Sequence, residues 1–207
     1  MPTDPPPFSD AAQPPEPLAT AGLGRELWRE ARYRVAIHRV PLTDGGVSER
    51  AFIDHPGAVV VWAEDADGRV ACVVQRRAAL GLQLLELPAG TLRPGEAPLV
   101  AAARELREET GLLAADWRAL GDFFLAPGCS NERMWAFVAR DLRAGPASLD
   151  PDEDLSLRWL HRAELLAQAA DGRLRDAKSL ALLSRLLLQG EVQPPSRAPR
   201  DDDAGDR

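Results

Sequence analysis

The sequence has few of the features that mark secreted, membrane or nucleic-acid-binding proteins. It contains two cysteines, too few for a disulfide framework, and Cys72 lies in an apolar alternating run that predicts a buried thiol. No block of Lys and Arg stands out and the net charge is −7, so a nucleic-acid surface is not expected. No apolar run approaches the roughly 20 residues of a membrane span, and the Pro-rich start lacks the order of a signal peptide. We therefore expect a cytoplasmic protein with neither nucleic-acid nor membrane partners.

Histidine is also scarce. The three histidines, His38, His55 and His161, are scattered along the chain, which gives no support for a zinc site or for histidine catalysis. What is present is a normal globular balance, with 45% hydrophobic and 28% charged residues. An acidic protein of this kind needs cations if it is to bind a phosphate-rich ligand.

The distribution of proline divides the chain into two tails and a folded part. Residues 1–24 are predicted to be a disordered Pro-rich tail and residues 190–207 a disordered acidic tail. Residues 25–55 form an N-terminal antiparallel β-unit, in which strands at 33–40 and 47–54 flank a Thr-Asp-Gly-Gly turn. Residues 56–189 form an α+β domain with a mixed sheet. Its predicted strands are 57–64, 69–76, 82–87, 117–125, 134–140 and 157–160, and its helices are 98–110, 162–170 and 176–189.

The helix predicted at residues 98–110, ended by Gly111, carries the chemistry. Its core stripe is predicted to be Leu99, Ala102, Ala103, Leu106 and Thr110. Glu105, Glu108 and Glu109 lie on an adjacent face at i, i+3 and i+4 spacing.

Two interpretations of this acidic face remain open on spacing alone. The face is either solvated and offset by Arg104 and Arg107, at a repulsive cost of roughly 0.2–0.5 kcal/mol, or it supplies hard oxygen ligands to Mg²⁺ or Mn²⁺.

The surrounding segment resembles the Nudix box at every defining position. Gly90 is followed at the characteristic spacings by Glu96, then by residues 104–106 (REL), 108–109 (EE) and 111–112 (GL). The resemblance implies an α/β/α sandwich with a loop-helix-loop metal site. It also implies hydrolysis of a nucleoside diphosphate linked to another group.

Further positions resemble the ADP-ribose pyrophosphatase subgroup. They are residues 54–59, residues 75–77 (QRR), residues 84–90 (LLELPAG) and Pro127, sixteen residues past Gly111. The subgroup splits ADP-ribose into AMP and ribose 5-phosphate. Three alternatives stay open: another nucleotide sugar such as GDP-mannose, nucleoside triphosphates, and a non-catalytic nucleotide-binding module.

The resemblance also implies roles for individual residues. The metal ligands, for Mg²⁺ or Mn²⁺, are Glu105 and Glu109, with Glu108 binding directly or through water and the Ala89 carbonyl joining them. Arg104 holds the glutamates in place through charge-assisted hydrogen bonds. Glu96 caps or orients the loop, while Gly90 and Gly111 are conformational.

The general base is expected in the loop at residues 148–156, where Glu153 is the only glutamate. Asp152, Asp154 or a box glutamate are alternatives, as is a merely solvated acidic loop. Arg77 is the expected diphosphate contact unless it is an ordinary surface arginine.

Other substrate contacts are less specific. Glu132 is a candidate to touch metal or ribose. Trp28, Tyr33 and Trp135 are candidates for adenine stacking, although core or surface packing is the favoured explanation for each of them.

The N-terminal unit predicts an assembly. A two-stranded ribbon alone is marginally stable and has exposed edges. In ADP-ribose pyrophosphatases such a unit packs across a two-fold axis, which implies a homodimer in which Arg50 reaches the neighbour's pocket. The alternative is a ribbon that covers its own domain.

Overall fold

The computed structural model describes residues 24–30, 32–145 and 154–193. These residues divide into two compact units. The first comprises the described residues up to His55 together with Gly128–Asn131, and the second comprises Pro56–Pro127 and the described residues from Glu132 onward.

The first unit is a three-stranded antiparallel sheet in the order β1-β2-β3. Strands β2 (Arg34–Pro41) and β3 (Val47–Asp54) form the predicted hairpin, in which Leu42 N–H donates to the Gly46 carbonyl at 2.8 Å. The prediction of only two strands was wrong, because a third strand, β1 (Arg25–Arg29), pairs with β2. All five β1 residues are exposed. Their sequence, RELWR, lacks the apolar alternation by which a strand can be predicted.

The second unit is built on a mixed sheet, as predicted. The order of its main strands is β10-β5-β4-β9-β8, with β6 paired to β5 and β7 to β4. Strands β4 and β9 run parallel, and the other pairs are antiparallel. The strands are β4 (Ala58–Glu64), β5 (Arg69–Arg77), β6 (Leu82–Glu86), β7 (Ala89–Thr91), β8 (Leu112–Phe124), β9 (Arg133–Ala144) and β10 (Leu155–His161).

Helices cover both faces of this sheet and form two separate cores. The helices are α1 (Pro98–Thr110), α2 (Arg162–Ala170) and α3 (Ala177–Leu188). Alternate residues of β4 point to opposite sides, so Val60 packs with leucines of α2 and α3 while Val61 packs with α1. Burial on both faces explains why β4 is a continuous apolar run. The predicted α/β/α sandwich is confirmed.

Helix α1 has the predicted bounds. Pro98 occupies its start, and Gly111 ends it in the left-handed conformation with φ 68°, donating to the Arg107 carbonyl at 2.9 Å. The predicted core stripe was partly wrong. Leu99 is 46% exposed and Ala103 is exposed, whereas Ala101 is buried in their place.

The reason for this difference is the position of β7. Helix α1 packs against β7 as well as β4, so its buried face is turned toward the side that carries Glu105 and Glu109. Leu106, Ala102 and Thr110 stay buried as predicted.

Two other sequence expectations are settled by the described residues. Cys72 is buried, and burial raises the pKa of its thiol to about 12, although the nearby Arg158 opposes the shift. The ordered chain continues past the predicted boundary at residue 189, because Val192 packs into the core beneath α3. Within these ranges no helix is long and apolar enough to cross a membrane.

We predict that Leu106→Ala lowers the free energy of unfolding by about 2–5 kcal/mol, because Leu106 is fully buried and cannot be replaced without a cavity. Urea denaturation measures the change. The matched control is Leu99→Ala on the same helix, which should stay within about 0.5 kcal/mol of the wild type. Equal losses for the two variants would contradict the described orientation of α1.

Candidate active site on α1 and β7

The side chain of Glu105 lies directly against the backbone of Gly90. A Cβ added at Gly90 would fall 2.0 Å from the Glu105 carboxyl carbon and 2.1 and 2.4 Å from its oxygens. Gly90 belongs to the short strand β7, so its conformational role is to leave room for this close approach of Glu105. Any larger residue would push Glu105 away from β7.

Glu109, one turn further along α1, binds the neighbouring residue of β7. Its Oε2 accepts from the Ala89 N–H at 3.0 Å. Glu105 and Glu109 are only 8% and 5% exposed, so two carboxylates are buried beside two consecutive residues of β7, Gly90 and Ala89. Buried carboxylates of this kind are costly unless partners compensate their charge.

Arg104 provides much of that compensation. Its Nη1 donates to Glu105 Oε1 at 2.6 Å and to Glu108 Oε2 at 3.0 Å. Its Nε and Nη2 donate to the two oxygens of Glu96, each at 2.8 Å, and Nη2 also donates to the Thr91 carbonyl at 3.1 Å. One guanidinium therefore ties the α1 carboxylates to the loop before the helix and to β7, as the sequence predicted for Arg104.

Glu96 closes the loop between β7 and α1. It accepts from the Arg93 N–H at 2.9 Å, and hydrogen bonds from Arg104 lower the pKa of Glu96 to about 2 despite some opposition from desolvation. The same bonds raise the pKa of Arg104 above its usual value. Glu96 thus orients the loop, whereas the residue that precedes the helix, Ala97, makes no side-chain cap.

The donor set of this site fits a hard divalent cation. Carboxylate oxygens of Glu105, Glu108 and Glu109 and the carbonyl of Ala89 come from one helix and the strand beside it, and all are oxygen donors of the kind that Mg²⁺ and Mn²⁺ prefer. Among the described residues, however, no group of three His, Cys, Asp or Glu side chains is already arranged around a common point. The guanidinium of Arg104 accounts for this, because it draws oxygens of Glu105 and Glu108 toward itself.

Arg77, the predicted diphosphate contact, is the last residue of β5. It is bound by Glu86, a residue for which the sequence predicted no role. Its Nε and Nη2 donate to the two oxygens of Glu86 at 2.7 and 2.6 Å. Hydrogen bonds with Glu86 raise the pKa of Arg77, burial opposes the shift, and the charges of Glu86, Asp176 and Glu109 add to the increase. The effect of Glu109 places Arg77 within electrostatic range of the α1 carboxylates. The only feature of the sequence that could have indicated a role for Glu86 is its charge, since the residues around it are apolar.

The remaining predicted residues lie outside this cluster. Glu132 is half-buried just before β9, and Pro127 is exposed in the loop between β8 and β9. Arg50 is exposed on β3 of the first unit, opposite His38 in the strand register. Glu153 and its alternative Asp152 fall outside the described residues, while Asp154 is exposed just before β10.

The aromatic candidates all make packing contacts. Trp28 and Tyr33 lie in the first unit with their ring centroids 5.9 Å apart. Trp135 lies in the second unit, where the guanidinium of Arg133 is 5.0 Å from its ring centroid. None of the three is brought by these contacts to the Ala89–Gly90 peptide.

Comparison with known proteins identifies the family of this fold and site. The NUDIX domain model matches residues 54–183. The chain is 36% identical over 161 residues to an ADP-ribose pyrophosphatase of Mycobacterium tuberculosis, covering 75% of this chain and 78% of that protein. It is 35% identical over 158 residues to a methanol dehydrogenase activator of Bacillus methanolicus, with coverages of 75% and 85%. It is 33% identical over 159 residues to an ADP-ribose pyrophosphatase of Bacillus subtilis, with coverages of 76% and 86%.

The fold agrees with a solved structure. A crystal structure of an ADP compounds hydrolase superposes with a TM-score of 0.65 at 22% identity, covering 80% of this chain and 91% of that one. Hydrolases with this domain generally use a divalent metal ion. The box residues Glu105 and Glu109 lie against two consecutive residues of β7, Gly90 and Ala89, inside the matched range. The chain therefore belongs to the NUDIX family.

Proposed function

We propose that this protein hydrolyses the diphosphate linkage of ADP-ribose to AMP and ribose 5-phosphate, with Mg²⁺ or Mn²⁺, in the cytoplasm. The observation that carries the proposal is the pair of buried carboxylates, Glu105 and Glu109, set against Gly90 and Ala89 of β7. The two ADP-ribose pyrophosphatases at 33% and 36% identity support the choice of substrate.

In this proposal Glu105, Glu108, Glu109 and the Ala89 carbonyl hold the metal. A divalent ion there supplies positive charge that offsets the charge of the diphosphate and lowers the pKa of a bound water. Arg104 keeps the carboxylates positioned, because its bonds reach two of them and the loop before the helix.

The reaction transfers one water molecule across the diphosphate. The water oxygen bonds to one phosphorus, the bond from that phosphorus to the bridging oxygen breaks, and the bridging oxygen leaves with the other phosphate. Glu153 accepts a proton from the attacking water. Arg77 binds the diphosphate, and Glu132 and the Pro127 loop contact the rest of the substrate.

A hydrolysis screen with either Mg²⁺ or Mn²⁺ tests the proposed function. Its substrates are ADP-ribose, GDP-mannose, a dinucleotide and a nucleoside triphosphate. We expect ADP-ribose to have the highest kcat/KM, by about tenfold or more over the others. A higher value for GDP-mannose would reassign the substrate while keeping the chemistry. Absence of turnover for every compound would contradict the proposed hydrolase activity.

Two glutamine variants distinguish the role of a metal ligand, Glu109, from that of the general base, Glu153. Glu109→Gln should lower kcat by about a thousandfold and weaken metal binding, because an amide is a poorer ligand for a hard cation than a carboxylate. Glu153→Gln should lower kcat while leaving the metal affinity unchanged. Steady-state kinetics and calorimetry with Mn²⁺ measure the two effects.

The control for both variants is Glu164→Gln on the exposed start of α2, where glutamine keeps the capping arrangement. It should match the wild type in both measurements. Full activity in Glu109→Gln would disprove the ligand assignment, and full activity in Glu153→Gln would move the base to another residue.

We further propose a homodimer in which the first unit, and Arg50 within it, completes the neighbour's site. The first unit exposes apolar side chains, since Leu27, Trp28 and Val47 are each at least half exposed. Two-fold pairing that buries such a surface is the commonest closed assembly.

Mixing two inactive variants tests this arrangement. If Arg50 serves the partner's site, a heterodimer of Arg50→Ala and Glu109→Gln contains one intact site, and refolded equal mixtures should recover about a quarter of the wild-type activity. Light scattering at micromolar protein checks the assembly. A fully active monomer, or a mixed dimer without recovery, would contradict the shared site.

A further inference from the structure

Lys178 is the only lysine of a chain whose Lys and Arg residues number 25. It lies in the first turn of α3, and its side chain is only 8% exposed. Its Nζ donates to Glu86 and, at 2.9 Å, to Asp176 Oδ1. A compact ammonium is therefore buried between two carboxylates in a protein that otherwise uses arginine.

Glu86 is shared between this lysine and Arg77. The Glu86 side chain is 1% exposed, its Oε2 accepts from both cations, and Oε1 accepts from Arg77 alone. Burial raises the pKa of Glu86, but the hydrogen bonds from Arg77 and the charge of Lys178 outweigh burial and hold the pKa below its usual value. With Asp176 the four side chains make three ion pairs, and their two positive and two negative charges sum to zero.

The position of Lys178 is fixed by the cap of α3. Asp176 Oδ2 accepts from the Ser179 N–H at 3.0 Å and from the Ser179 hydroxyl. The Ser179 Oγ in turn accepts from the Leu87 N–H at 2.7 Å, and Leu87 is the residue next to Glu86. The start of α3 is thereby attached to the segment that leads into β7.

Arg77 is the member of this network that remains open to a substrate. Its side chain is 41% exposed, and its bonds to Glu86 use Nε and Nη2, which leaves Nη1 outside them. The charge of Glu109 also contributes to raising the pKa of Arg77. A cation that serves both a buried carboxylate and a substrate anion is weakened as a substrate contact, because the carboxylate neutralises part of its charge. A second cation on Glu86 restores that charge.

We propose that Lys178 is a positioning residue that balances the charge of Glu86, so that Arg77 keeps its positive charge available for the substrate diphosphate. This inference rests on the proposed function, in which Arg77 binds that diphosphate. Lys178 acts through Glu86 and Arg77 and does not itself touch the substrate. A single buried lysine at this position, fixed by its own helix cap, is what such a role requires.

Removing the charges of Lys178 and Glu86, first singly and then together, tests the proposal. Lys178→Met should raise KM about tenfold while kcat stays within about threefold, because Glu86 then neutralises Arg77 alone. The double variant Glu86→Gln with Lys178→Met removes both charges, and it should return KM to within about threefold of the wild type. Arg175→Met, which removes an exposed cation of the loop just before α3, controls for the loss of one positive charge and should leave KM unchanged.

The substrate in these assays is whichever compound the wild type cleaves fastest in the screen, so failure of the ADP-ribose assignment does not decide this test. If Lys178→Met fails to fold, Lys178→Gln, which still donates to Asp176, replaces it with the same expectations. An unchanged KM in the folded single variant would overturn the proposal. So would a double variant with a KM as high as that of the single variant, or a wild type that cleaves no diphosphate compound.

Discussion

The active-site geometry depends on the hydrogen bonds of one guanidinium. Arg104 holds Glu96, Glu105 and Glu108 and also the Thr91 carbonyl, so it joins the helix, the loop before it and the strand beside it. Without such a partner, buried carboxylates one helical turn apart would repel each other and turn toward solvent. The same contacts place the Glu105 carboxylate against Gly90, where any side chain at position 90 would collide with it.

Two charge clusters therefore flank the segment from Glu86 to Gly90. On one side α1 contributes carboxylates that carry excess negative charge, and on the other side α3 contributes Lys178, which balances Glu86. Each cluster is anchored by a helix terminus whose position the core fixes, because both helices pack on opposite faces of β4. The sandwich thus sets the positions of the α1 carboxylates and of Lys178 relative to β4.

Local patterns in the sequence were sufficient for most of the elements, with β1 and β7 as the exceptions, but not for the long-range contacts. Helix α1 was predicted to the residue, because Pro98 and Gly111 mark its ends. The burial of Ala101 in place of Leu99 depends on β7 lying beside the helix, which periodicity does not report. The bond between Lys178 and Glu86 joins residues 92 positions apart, so no spacing rule reveals it. Strand β1 has the sequence RELWR, in which there is no apolar alternation to detect.

The central claim is that water attacks within the diphosphate of ADP-ribose at the α1 site. Mass spectrometry of the products formed in heavy-oxygen water measures this most directly. The account predicts AMP and ribose 5-phosphate in equal amounts, with one solvent oxygen incorporated into one of the two phosphates per turnover. Formation of ADP and free ribose, or products without solvent oxygen in a phosphate, would show that another bond is broken and would contradict the account.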